Sequence, residues 1–167
     1  MDSGNAVSEG SAGGTGETNN TNFQPITFDF RVADLQVTAI TVPAPTETGI
    51  EFSLSWTTAN SGNKATPTFS DTVYFSPDSI INANDVYLGE FAATGGLAAG
   101  ASAGRIQNFT IPPSAISASG SYFLFIKTDH YGQVNEGVNE NNNTRFQAVQ
   151  VIHRFADLQV TATSVAP

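Results

Sequence analysis

Residues 121–151 read SYFLFIKTDHYGQVNEGVNENNNTRFQAVQV. An apolar run from Tyr122 to Ile126 leads into a polar loop, and an alternating run containing Phe146, Ala148, Val149 and Val151 leads out of it. Two strand-like segments around one loop make an antiparallel hairpin. Its loop, Asp129 to Thr144, is much longer than the roughly two to five residues of an ordinary hairpin, and a loop of that size carries function or needs something to order it. Asp129, Glu136 and Glu140, supported by Asn135, Asn139, Asn141 and Asn142, concentrate oxygen donors and negative charge with no Lys or Arg among them. Hard donors of this kind suit Ca²⁺, which takes about six to eight oxygens from carboxylates, amides, carbonyls and water.

Upstream, short strands recur at regular spacing. The expected strands are Arg31–Pro43, Ile50–Ala59, Phe69–Ser76, Tyr87–Thr94, Arg105–Ile111, Ser121–Thr128 and Arg145–Val151. Asn60-Ser61-Gly62, Gly95-Gly96 and Pro112-Pro113 punctuate them as turns. No helical apolar period persists beyond two turns, although Pro113 to Ser117 can make one short helical turn. Seven short strands with polar turns predict an all-β fold, an antiparallel β-sandwich. Phe52, Leu54 and Trp56 alternate on one face and anchor its core, together with Val73, Phe75, Phe91, Phe109, Ile111, Leu124 and Ile126. Tyr74, Tyr122 and Tyr131 are expected as half-buried sheet residues.

The first strand returns near the C-terminus. RVADLQVTAITVP from Arg31 and RFADLQVTATSVAP from Arg154 agree at Ala33/Ala156, Asp34/Asp157, Leu35/Leu158, Gln36/Gln159 and Val37/Val160. An internal repeat of this kind predicts one complete unit followed by the first strand of a second, and a parent protein built as a tandem array. A lone strand cannot bury its own face, so Phe155 to Val165 either hangs free or pairs with an available sheet edge. Residues 1–30 read as a flexible linker, Gly-, Ser- and Asn-rich, with FQPITFDF (Phe23–Phe30) as an extended lead-in.

Composition narrows the function. The 167 residues carry a formal charge of −9, and their six Lys and Arg do not cluster. That disfavours nucleic acid and anionic membrane surfaces, both of which are bound through basic groups. There is no Cys, hence no disulfide framework or thiolate metal site. No apolar run reaches the roughly 18 residues of a spanning helix. His130 and His153 stand beside no evident nucleophile, so a noncatalytic protein is expected.

ADLQVTAITVP, SLSWTTANSG, SDTVYFSPD with NANDVYLGEF, and GSYFLFIKTD followed by VNEGVNENNNT occur in that order and resemble the bacterial cell-adhesion-related domain family, CARDB. The resemblance implies a fibronectin type III or immunoglobulin-like sandwich over residues 31–153, with 154–167 opening a following repeat. It also implies a nonenzymatic, extracellular or cell-surface module, bacterial or archaeal, whose partners are adjacent repeats and a surface protein or polysaccharide.

In such a sandwich the third and sixth strands are antiparallel neighbours, which brings Asp71 near Asp129, with Asp34 at the same end. The expected site is a structural calcium site of Asp129, Glu136, Glu140 and Asn142, assisted by Asp71 and Asp34. The alternative is an acidic loop held by Asn side chains bonded to its own backbone. Asp78, Asn82, Asn84 and Asp85 form a second oxygen-rich loop, expected at the opposite end, near Asp157 of the next repeat. It reads either as a second metal loop or as a turn capped by Asp and Asn. Two other functions stay open: an accessory polysaccharide-binding module of a secreted enzyme, using Tyr74, Tyr87 and Tyr131, and an assembly subunit whose C-terminal strand completes a neighbour's sheet.

Overall fold

Alternation in Glu51–Asn60 requires one face of that strand to be covered, and Phe52, Leu54, Trp56, Thr58 and Asn60 are all buried. The cover is a second sheet. A computed structural model describes residues 23–155, 158–159 and 161–163. Its strands are β1 (Leu35–Thr41), β2 (Thr46–Glu47), β3 (Glu51–Asn60), β4 (Phe69–Ser76), β5 (Val86–Ala93), β6 (Ser102–Thr110), β7 (Gly120–Lys127) and β8 (Thr144–Ile152). One sheet has the order β1-β3-β6 and the other β2-β8-β7-β4-β5. Every pairing is antiparallel except β2 with β8, so the molecule is a β-sandwich of three strands on five.

The expected strands are present, with β2 in addition. β2 consists of Thr46 and Glu47 alone, opposite Val151 and Ile152 of β8, too short a segment to show a period in sequence. The short helical turn is Pro113–Ala115. β1 starts at Leu35 rather than Arg31, because the residues before it bond to the turn after β3: Val32 O accepts from the backbone N–H groups of Asn63 and Lys64. β4 and β7 are neighbours, in register from Thr72 opposite Lys127 to Ser76 opposite Phe123.

Between the sheets, Leu54, Trp56 and Phe109 meet Val73, Phe75, Leu124 and Ile126 in one cluster. Trp56 packs edge-on against Phe91 at 5.5 Å. A second, smaller cluster of Ala33, Leu35, Phe69 and Val134 lies under the long β7–β8 loop. Burial of these four apolar side chains gives the loop a floor, at about 25 cal/mol per Å² of apolar area removed from water. Tyr74 and Tyr122 are half-buried as expected, whereas Tyr131 is 61% exposed because it sits on the loop beyond the end of β7.

Residues 23–30 belong to a separate compact unit and contain no strand or helix. The lead-in strand expected at Phe23–Phe30 is therefore not formed, and Met1 to Thr21 lies outside the described residues. Of the expected C-terminal strand, residues 155, 158–159 and 161–163 are described and form no strand; Ala156, Asp157 and Val160 lie outside the described residues.

Candidate functional site at the acidic loop

β7 ends at Lys127, and two residues later Asp129 takes a positive φ of 46°, a region that Asn and Asp tolerate better than other side chains. Its carboxylate accepts the backbone N–H of Gln133 at 2.7 Å and of Val134 at 3.1 Å. That closes a turn and delivers Val134 to the lower cluster. Asp129 is itself buried.

Glu136 comes next and is fully buried, with Oε1 accepting the N–H of Leu35 at 3.0 Å. The loop is thus tied to the first strand of the sandwich. The Glu136 N–H donates to Glu140 Oε1 at 2.8 Å across the short helical turn Gly137–Asn139. Asn142 Nδ2 donates to Asp34 Oδ1 at 2.8 Å, a second tie to the same strand entrance. Asn143 is buried, and its carbonyl accepts the N–H of Thr128 to shut the hairpin.

Burial raises the Glu136 carboxyl pKa to about 7. The Leu35 N–H acts in the opposite direction, the charges of Glu140 and Asp129 raise it further, and a bond with Asn143 lowers it. Four expected residues, Asp129, Glu136, Glu140 and Asn142, therefore share one loop, with Asp34 bonded to it.

Asp71 is not among them. It belongs to the correct pair of strands, but its side chain points between the sheets. There Oδ2 accepts from Trp56 Nε1 at 2.9 Å and from Thr58 Oγ1 at 3.3 Å, and lies 3.2 Å from Arg105 Nε. Strand alternation explains the difference: Asp71, Val73 and Phe75 share the core-facing side of β4.

The donors fit a hard divalent cation by type, since all are oxygens and no amine competes. In the described geometry these oxygens serve backbone N–H groups, and no set of three or more His, Cys, Asp or Glu side chains converges as a metal-ligating group among the described residues.

The second loop closes on itself. Asp78 Oδ1 accepts from Ile80 N at 2.8 Å, Asp85 Oδ2 from Asn82 N at 2.7 Å, and Asn82 Oδ1 from Asn84 N at 2.9 Å, as in a turn capped by Asp and Asn. It leaves β4 after Ser76, at the end away from Asp129 as expected, and reaches over the outer face of the five-stranded sheet, where Asn82 and Asp85 share a groove with His130.

Sequence reading missed Asn60, taken as part of a turn. It is 1% exposed; Oδ1 accepts from the N–H groups of Asp34 and Gly62, and Nδ2 lies 2.8–3.2 Å from the carbonyls of Lys64, Leu97 and Ala98. The partners are up to 38 positions away, so no local pattern announces them.

A family model described as CARDB matches residues 32–146. Among solved structures, the crystal structure of the CARDB domain of the PF1109 protein from Pyrococcus furiosus, in complex with di-metal ions, is 21% identical with a TM-score of 0.58, covering 76% of this chain and 100% of that one. The solution NMR structure of the same domain gives 21% identity and a TM-score of 0.55, covering 75% and 100%. These likenesses bear on the fold. No curated protein matches the chain.

Proposed function

This chain belongs to the CARDB family, a noncatalytic domain type of bacterial and archaeal proteins, and we propose that it is an adhesion or spacer module of a tandem-repeat surface or secreted protein, stabilised by calcium. The observation that carries the calcium reading is Glu136. A fully buried carboxylate with two further acidic side chains beside it has its charged form disfavoured, and its pKa rises to about 7. A divalent cation relieves that repulsion without a proton. Asp129, Glu136, Glu140 and Asn142 would hold it, with Asp34 at the margin; Asp71, engaged by Trp56 and Arg105, is left out. The ion would supply charge neutralisation only. The Pyrococcus domain is in complex with di-metal ions, and the acids that would hold an ion here are this chain's own.

The spacer role is supported by the repeated ADLQVTA at Ala33 and Ala156. The acidic loop bonds to the entrance of β1, where a preceding repeat would connect, so closing the loop stiffens the joint that carries tension through an array. An external setting agrees with the family's, and no helix among the described residues is long and apolar enough to cross a membrane.

External modules hold Ca²⁺ with dissociation constants of about 10⁻⁴ to 10⁻³ M. At roughly ten to a hundred times that constant, the ion adds about 1–3 kcal/mol to folding. Thermal melting of the whole chain in calcium and in chelator tests this, and coincident midpoints in the two conditions would end the calcium reading.

A further inference from the structure

The outer face of the five-stranded sheet carries a groove of about 420 Å³ that none of the acidic loop's carboxylates lines. It is lined by Tyr74, Asn82, Asp85, Tyr87, Lys127 and His130, among others. Its volume lies within the range of about 300–1,000 Å³ usual for small-ligand sites. The folded-back loop after β4 forms one wall, and the sheet forms the floor.

Three observations define what fits. Tyr87 is 55% exposed and meets Tyr74 edge-on, with ring centres 5.7 Å apart and planes at 69°, so the two rings form a corner. Tyrosines placed this way offer an apolar ring and a polar tip to a ligand that has both characters. Asp85 and Lys127 stand in one groove with opposite charges. A strongly anionic ligand meets Asp85 and a chain of net charge −9, and a cationic one meets Lys127. Neutral hydroxyls, by contrast, donate to the carboxylate and accept from the ammonium. Finally, Asp85 Oδ1 and His130 Nδ1 are buried without a hydrogen-bond partner. Buried polar atoms in that state are uncommon, and a water, ion or ligand hydroxyl is one way to satisfy them.

We propose that this groove binds a neutral saccharide unit, its ring against Tyr87 and Tyr74 and its hydroxyls met by Asp85, Asn82 and Lys127. The corner geometry restricts the ligand to a short oligosaccharide or a chain end, because a flat crystalline polysaccharide needs coplanar rings. A peptide adding as a strand requires a sheet edge. The groove spans β5, β4 and β7 on the face of the sheet; β5 is the sheet's last strand, but Tyr87 meets the groove through its ring on that face and not through the strand's edge.

The test is a ¹⁵N–¹H titration of the whole chain with neutral mono- and disaccharides of glucose, galactose, mannose and N-acetylglucosamine at millimolar concentration, alongside a proline-rich peptide. Saccharide-dependent shifts confined to residues 74–90 and 127–144 are expected, with affinity reduced about tenfold or more in Tyr87→Ala. Asp85→Asn, which keeps an acceptor for Asn82 N, should weaken binding similarly and guards against a folding defect in the first variant. Shifts from the peptide alone, saccharide shifts elsewhere, no shifts, or full affinity in both variants would each overturn the proposal.

Discussion

Glu136 Oε1 accepts a hydrogen bond from the backbone N–H of Leu35 at 3.0 Å, joining residues 101 positions apart inside a fully buried contact. Through this bond the β7–β8 loop becomes part of the sandwich wall. It also places an acid where its charge is disfavoured.

Stability should therefore fall with rising pH in the absence of divalent ions. The Glu136 pKa goes from 4.5 to about 7 on folding, so the folded chain keeps a proton that the unfolded chain has released. The contribution is fully present below about pH 4.5 and is lost as pH rises through about 7. Its full size is roughly 3 kcal/mol. Glu136→Gln retains an acceptor for Leu35 N and cannot titrate. Urea unfolding across this pH range in chelator should show the decline in the native chain and a flatter profile in Glu136→Gln.

Inside the sandwich, Asp71 depends on Arg105. Arg105→Ala leaves a fully buried carboxylate without its cation, and should destabilise by about 3 kcal/mol, the low end for a broken buried pair because the Arg105 side chain is 22% exposed. Asp71→Asn keeps an oxygen for Trp56 Nε1. The double variant should accordingly be more stable than the sum of the two single losses predicts, as measured by a double-mutant cycle.

Two glycines with similar backbone angles should respond differently to alanine. Gly96 has φ of +65°, and a Cβ there would come within 2.1 Å of Thr66 O and 2.5 Å of Pro67 O. Gly132 has φ of +63° and nothing within 4 Å. Gly132→Ala should cost about 1–2 kcal/mol, the left-handed backbone penalty alone. Gly96→Ala should cost clearly more, because backbone must also move; equal losses in urea unfolding would contradict the close approach at Gly96.

The strands and the core were legible because alternation along a strand is a local signal, and Phe52, Leu54 and Trp56 state which face is buried. The grouping of Asp129, Glu136, Glu140 and Asn142 was legible because they share one loop. Asp71 was misplaced by reasoning on strand ends alone; its position on the Val73 and Phe75 face of β4 aims it inward, and parity along the strand carries that information. The bonds from Asn60 to Asp34 and Ala98, and the folding back of Asp78–Asp85 over the sheet, depend on tertiary neighbours, which no spacing in the chain encodes.

On the proposed reading calcium relieves the repulsion around Glu136, and differential melting at about pH 8, above the Glu136 pKa of about 7, should show it. Millimolar calcium should raise the midpoint of the native chain over its value in chelator by on the order of 5 °C. The increment should vanish in Glu140→Gln, and magnesium should give a smaller one, since it demands tighter octahedral geometry. Identical melting of the native chain in calcium and in chelator would contradict the account.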